Sequence, residues 1–185
     1  MTEKQSKLEK AQLAHRDFLE SFKTLQLATI DKEGLPDASY SPYVKIENDF
    51  YVYVSELATH TYGLITNNDA AVFFVQNEDE AKHLFVRRRL SYKCKVAEVS
   101  RGSDLFESTL DSFEEKFGKK FISMLRGLED FHLVKLTPNS GTFVNGFGQA
   151  YNLSGDGMNT LSHKNDVGHR SSSAKTEKEM KALAD

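Results

Sequence analysis

Apolar residues recur at spacings of three and four at the start of the chain. Leu8, Ala11, His15, Phe18 and Phe22 fall on one stripe among strong helix formers, which predicts a helix over residues 3–22. The period then drops to two. Leu25, Leu27 and Thr29 alternate with Gln26, Ala28 and Ile30, Asp31-Lys32-Glu33-Gly34 makes a polar loop, and residues 38–46 read as the second strand of a hairpin. Phe50, Val52 and Val54 alternate with Tyr51, Tyr53 and Ser55 in a third strand. A short helical piece spans 59–67, and the apolar run 70–76 reads as a buried fourth strand. Leu90, Tyr92, Cys94 and Val96 line one face of a fifth. Ser103 is placed to cap a long helix over 103–126, in which Phe106, Leu110, Phe113, Phe117, Phe121 and Leu125 share a stripe before Gly127. Residues 131–136 and 141–153 read as two more strands, the second bent or closely approached at Gly141, Gly146 and Gly148. Mostly antiparallel strands with short loops, and helices at the start and late in the chain, predict an α+β domain on a closed or nearly closed barrel.

Composition narrows the class. A length of 185 residues points to one domain, and 13 Phe with 7 Tyr supply large surfaces to bury. The net charge of −3 lacks the broad basic footprint of nucleic-acid binding. A single cysteine forms no intramolecular disulfide and no cysteine-cluster metal site. The start Met1-Thr2-Glu3-Lys4-Gln5 has no signal-peptide core, and the longest apolar run, 70–75, is far too short for a bilayer. The expectation is a cytoplasmic protein with neither nucleic acid nor membrane as partner. After Tyr151 the chain turns polar and cannot pack by itself.

The motifs exclude more than they select. There is no phosphate-binding loop with its lysine, no Gly-x-Ser-x-Gly elbow and no His-Glu-x-x-His helix. The histidines at 15, 60, 83, 132, 163 and 169 form no close pair at helical ligand spacing, which leaves open a single-histidine ligand to a large cofactor. Arg87, Arg88 and Arg89 precede the fifth strand. If the strand already runs there, Arg87 and Arg89 share a face suited to phosphate or carboxylate; otherwise they form a solvated strand end. Cys94, on an apolar face with no base beside it, is not a nucleophile, and His15 reads as a packing or dimer contact.

Four stretches together resemble one family: Lys23-Thr24-Leu25-Gln26-Leu27-Ala28-Thr29, Leu84-Phe85-Val86-Arg87-Arg88-Arg89-Leu90, Gly146-Phe147-Gly148-Gln149-Ala150-Tyr151 and Gly168-His169-Arg170. They are similar to the HugZ/HutZ heme-utilisation proteins, over roughly residues 22–170. The resemblance implies a six-stranded antiparallel split β-barrel with flanking helices, of the FMN-binding, pyridoxamine-phosphate-oxidase-like superfamily. It implies a homodimer that binds heme and opens its ring with O2 and an external electron donor, an ascorbate-like reductant or a reductase. The domain plan that follows is an N-terminal helix over 1–22, a barrel over 23–154 with the helix 103–126 inserted, and a tail over 155–185 whose residues 155–170 fold over the heme.

Residue by residue, the resemblance makes His169 the axial ligand of the heme iron, although a histidine in a polar tail otherwise reads as exposed. Asp130 matches the carboxylate that hydrogen-bonds the ligand histidine across the dimer interface, a contact that raises ligand basicity and so tunes the iron. Arg89 matches a heme-pocket arginine that binds a propionate or donates to the iron-bound ligand, with Arg87 beside it. His60 matches a family histidine, with helix capping as its structural alternative. Two other readings stay open at this point: heme storage or transfer without turnover, and a flavin oxidoreductase in which Arg87–Arg89 hold the phosphate of FMN.

Overall fold

In the computed structural model of the chain, residues 3–164 are described, together with Thr176 and Glu179. The elements run α1 (Glu3–Glu20), β1 (Thr24–Ile30), β2 (Pro36–Ile46), β3 (Asp49–Ser55), α2 (Thr59–Thr66), β4 (Asp69–Val75), β5 (Arg89–Val99), α3 (Asp104–Phe117), α4 (Lys119–Arg126), β6 (Phe131–Val144), β7 (Ala150–Ser154) and β8 (Thr160–His163). The strands hydrogen-bond in the order β3-β2-β1-β4-β5-β6-β7-β8. Because β3 also pairs with β6, the first six close into an antiparallel barrel. The expected α+β fold is therefore the one adopted, with β7 and β8 as additional strands.

The chain divides into two compact units. The larger takes Phe22–Phe73 and Tyr92–Asn139; the other takes the chain up to Ser21, Phe74–Ser91 and the stretch from Ser140.

In the larger unit the alternation in β1 works as read, with Leu25, Leu27 and Thr29 buried. β3 is buried on both faces, which is why it carries an apolar or aromatic residue at nearly every position. Phe50 meets Tyr43 edge-on and Tyr92 at a tilt, while Tyr51 and Tyr53 face the other way into a second cluster with Phe106, Leu110, Phe113 and Ile122. The helical side of that cluster comes from two helices where the stripe predicts one over 103–126. Gly118 has φ +101°, a conformation L side chains rarely adopt, and it ends α3 and starts α4. The break shifts the helical phase, so Ile122 is buried and Phe121, expected on the stripe, is 59% exposed. Arg126 on α4 spans the pair, contacting Glu107, Asp111 and Glu114 of α3. Ser103 caps α3 as expected, its Oγ accepting from the Phe106 N–H at 3.2 Å.

In the other unit α1 buries Ala11, His15, Phe18 and Leu19. His15 meets Phe143 edge-on at 5.5 Å and Phe18 lies 5.8 Å from the same ring, which is the packing role expected of His15. The strands expected at 131–136 and 141–153 divide differently: β6 runs unbroken to Val144, and the break falls at Gly146 and Gly148, both at positive φ. β7 then pairs back on the end of β6, Phe143 opposite Tyr151, and β8 pairs with β7, Leu153 opposite Leu161. Residues 155–163 thus form a turn and a strand the hydrophobic pattern does not reveal. Among the described residues no helix is long and apolar enough to cross a membrane.

Candidate functional site

Asp130 sits in the loop between α4 and β6, one residue before the β3–β6 pairing brings Phe131 opposite Ser55. Ser55 Oγ donates to Asp130 Oδ2 at 2.8 Å, and the Glu56 N–H donates to the Asp130 carbonyl at 2.9 Å. One carboxylate oxygen is thereby fixed and Oδ1 is left to accept elsewhere. The loop is pinned from its other side by Arg101, whose guanidinium donates to the carbonyls of Leu128 at 2.9 Å and Phe131 at 2.7 Å.

The segment that holds Asp130 also carries His60. Ser55 Oγ accepts from the Leu57 N–H at 3.1 Å, and Thr61 Oγ1 donates to the Ser55 carbonyl at 2.6 Å, so the start of α2 is tied to the end of β3. The cap of α2 is Ala58 and no side chain caps it, which removes capping as the reason for His60. The His60 imidazole is half-buried. Burial lowers its pKa below the ordinary histidine value, and the Asp37 carboxylate opposes that shift.

Gly63 sets how closely α2 lies on β1: a Cβ there would stand 2.7 Å from the Ile30 carbonyl oxygen and 2.8 Å from Thr29 Cβ. Gly63→Ala is expected to push α2 off β1 and cost about 1–3 kcal/mol, as overpacking does. The urea midpoint measures the loss, and the His60 ring resonances report the displaced helix.

The arginines do not form the paired face that strand alternation allows. β5 begins only at Arg89, and Arg87 folds back, its Nε donating to the Gln76 carbonyl at 2.8 Å and its Nη1 contacting Glu78 Oε1 at 3.2 Å. The Arg88 guanidinium lies over the Phe18 ring at 5.2 Å. Arg89 is exposed, with Nη1 donating to the Arg87 carbonyl at 3.2 Å. Just before them in the sequence Leu84 is 58% exposed and Phe85 89%. Exposed aromatic and aliphatic side chains within a few positions of an exposed guanidinium suit a flat apolar ligand with anionic substituents.

Asp130 and His60 thus belong to the larger unit and Arg87 and Arg89 to the other, while His169 lies outside the described residues. Cys94 is 1% exposed and burial pushes its thiol up to about 12, as befits a core residue. Sequence reasoning missed Ser55 and Arg101, which hold the Asp130 loop. Their partners lie far along the chain and no local pattern marks them.

Residues 12–145 match the family described as pyridoxamine 5'-phosphate oxidase, and the chain belongs to that family. Within it, the chain is 39% identical over 155 residues to heme oxygenase HutZ of Vibrio cholerae serotype O1 (strain ATCC 39315 / El Tor Inaba N16961), covering 84% of this chain and 87% of the relative. The crystal structure of HutZ, described as the heme storage protein from Vibrio cholerae, superposes with TM-score 0.64 at 36% identity, over 68% of this chain and 88% of that one. Campylobacter jejuni ChuZ superposes with TM-score 0.75 at 30% identity, over 88% of this chain and 67% of that one.

Proposed function

We propose that the protein is a cytoplasmic homodimer that binds heme and opens the porphyrin ring with O2 and an external reductant, releasing iron for acquisition. The observation that carries this reading is the likeness to a heme oxygenase along most of both chains. When bound, heme supplies the iron and the ring that is oxidised. The chain holds and tunes it. His169, in the part of the segment up to residue 170 that follows β8 and is expected to fold over the heme, would ligate the iron, and Asp130 would accept the other ring N–H of that imidazole from the neighbouring subunit. Such a bond fixes the tautomer and raises the ligand's basicity. Asp130 suits this role because Ser55 holds one oxygen while the other can still accept. Arg89 would meet a propionate or donate to the iron-bound ligand, with His60 and Arg87 as further pocket residues.

The test is aerobic single-turnover spectroscopy of the full chain with hemin and ascorbate. A Soret band should form on adding hemin and then give way to the absorption of an open tetrapyrrole, with iron captured by a ferrous chelator. A Soret band that survives the reductant under air would favour storage, the reading for which the description of the HutZ structure speaks. A flavin spectrum in the protein as isolated would overturn both in favour of FMN, the cofactor of the flavin oxidoreductase reading. Asp130→Asn should keep the heme yet slow ring opening by about 10–100-fold, the usual cost of losing an outer partner of a metal ligand. Full activity in that variant would refute the tuning role.

A further inference from the structure

Two residues after Asp130 stands His132, which the proposed reaction does not use. On β6 it continues the row of Val134 and Leu136, and the β3–β6 register sets it opposite Val54. Those neighbours are apolar, yet the ring is held by two carboxylates. Its Nδ1 lies 2.6 Å from Glu98 Oε1 on β5, and its Nε2 lies 2.9 Å from Glu56 Oε1 just beyond β3. The ring is only 20% exposed. A neutral imidazole has one N–H and one lone pair, so it donates to one of these carboxylates and turns a lone pair on the other. Only the imidazolium donates to both.

Glu56 is also the residue whose N–H donates to the Asp130 carbonyl, and Ser55 before it holds Asp130 Oδ2. We propose that His132 is the positioning residue for Asp130: as an imidazolium bridging Glu98 and Glu56, it fixes the turn on which the Asp130 carboxylate rests. The functional meaning of that placement rests on the role proposed above for Asp130.

The charged groups acting on the ring are Glu98 from β5 and Glu56 from the end of β3. Arg101, on the neighbouring turn, is engaged with the carbonyls of Arg126, Leu128 and Phe131, and Asp130 with Ser55. The bond to Glu98 is the largest influence; with Glu56 it raises the imidazole pKa above the ordinary value against the opposing effect of burial. Because the folded pKa is raised, the bridge contributes in full below the ordinary histidine pKa and is lost as pH rises through the raised one.

The experiment has two arms. In heme-free full-length protein, the His132 ring is titrated by NMR while protection of the Glu56 amide against hydrogen exchange is followed, in wild type and His132→Gln. Protection should fall about tenfold as the ring deprotonates, the effect of losing one charge-assisted hydrogen bond, and should be low and independent of that titration in the variant. Equal protection in both, or protection in wild type that ignores the titration, overturns the proposal; the second result decides even if the variant does not fold. In the hemin-loaded ferrous protein, His132→Gln should move the iron–imidazole stretch toward its position in Asp130→Asn, and an unmoved stretch overturns the link from His132 to Asp130. If Asp130→Asn itself leaves the stretch unmoved, the role given to Asp130 has failed, and the exchange arm alone decides for or against His132.

Discussion

Alanine at position 169 is expected to abolish the Soret complex with hemin or to weaken it beyond the ~10–100-fold that losing an outer partner of a metal ligand costs. Without the imidazole, only non-directional contacts would hold the ligand. Arg89 offers one exposed cation, and Leu84 and Phe85 offer apolar surface, contacts that any flat anionic macrocycle satisfies and that do not fix the iron. An iron–imidazole bond is directional and sets the metal's spectrum as well as its position. Hemin titration followed at the Soret band, with far-UV circular dichroism to show that the fold is intact, measures the effect. Added imidazole should restore the spectrum in His169→Ala. A variant with the wild-type spectrum and affinity would remove His169 as the ligand and leave the heme reading without its anchor.

Elements whose character is local were legible in the sequence. The alternation in β1 put Leu25, Leu27 and Thr29 inside, and that in β5 buried Leu90, Tyr92 and Cys94. The stripe of α1 buried Ala11, His15 and Phe18, though Phe22 lies beyond the helix end at Glu20 and is only half-buried. The reading failed where one residue resets the phase. Gly118, at the +101° that halts α3, turned Phe121 outward and Ile122 inward, and an uninterrupted helical count could not register it. β8 escaped because its four residues bury Leu161 alone and leave the rest in water, too short a pattern to stand out.

The site divides the same way. Asp130 and His60 were reached through motif resemblance, but what makes them a unit is the pairing of β3 with β6. Ser55 and Asp130 are 75 positions apart, and Glu56 and His132 are 76. Such contacts depend on strand register, which a run of residues does not display. The arginine run hides its geometry for a related reason: whether Arg87 and Arg89 share a face depends on where the strand begins, and β5 begins only at Arg89 while Arg87 braces the Gln76–Glu78 bend.

That dependence on β3–β6 closure makes Phe50→Ala the substitution expected to cost the fold most. Phe50 is 1% exposed and lies opposite Leu136 in the register that, further along the same two strands, brings Ser55 beside Phe131. Its ring meets Tyr43 at 5.5 Å with an interplanar angle of 70° and Tyr92 at 5.7 Å. Truncation removes the buried ring and leaves a cavity between two tyrosines whose hydroxyls are already raised in pKa by burial. The expected loss is about 3–5 kcal/mol, a large part of the ~5–15 kcal/mol that stabilises an ordinary domain. Phe50→Leu keeps most of the volume and should cost less than about 1.5 kcal/mol. Urea unfolding of both variants gives the difference. If Phe50→Ala loses under about 1 kcal/mol, the strands collapse around the gap, and closure of β3 on β6 does not depend on this ring.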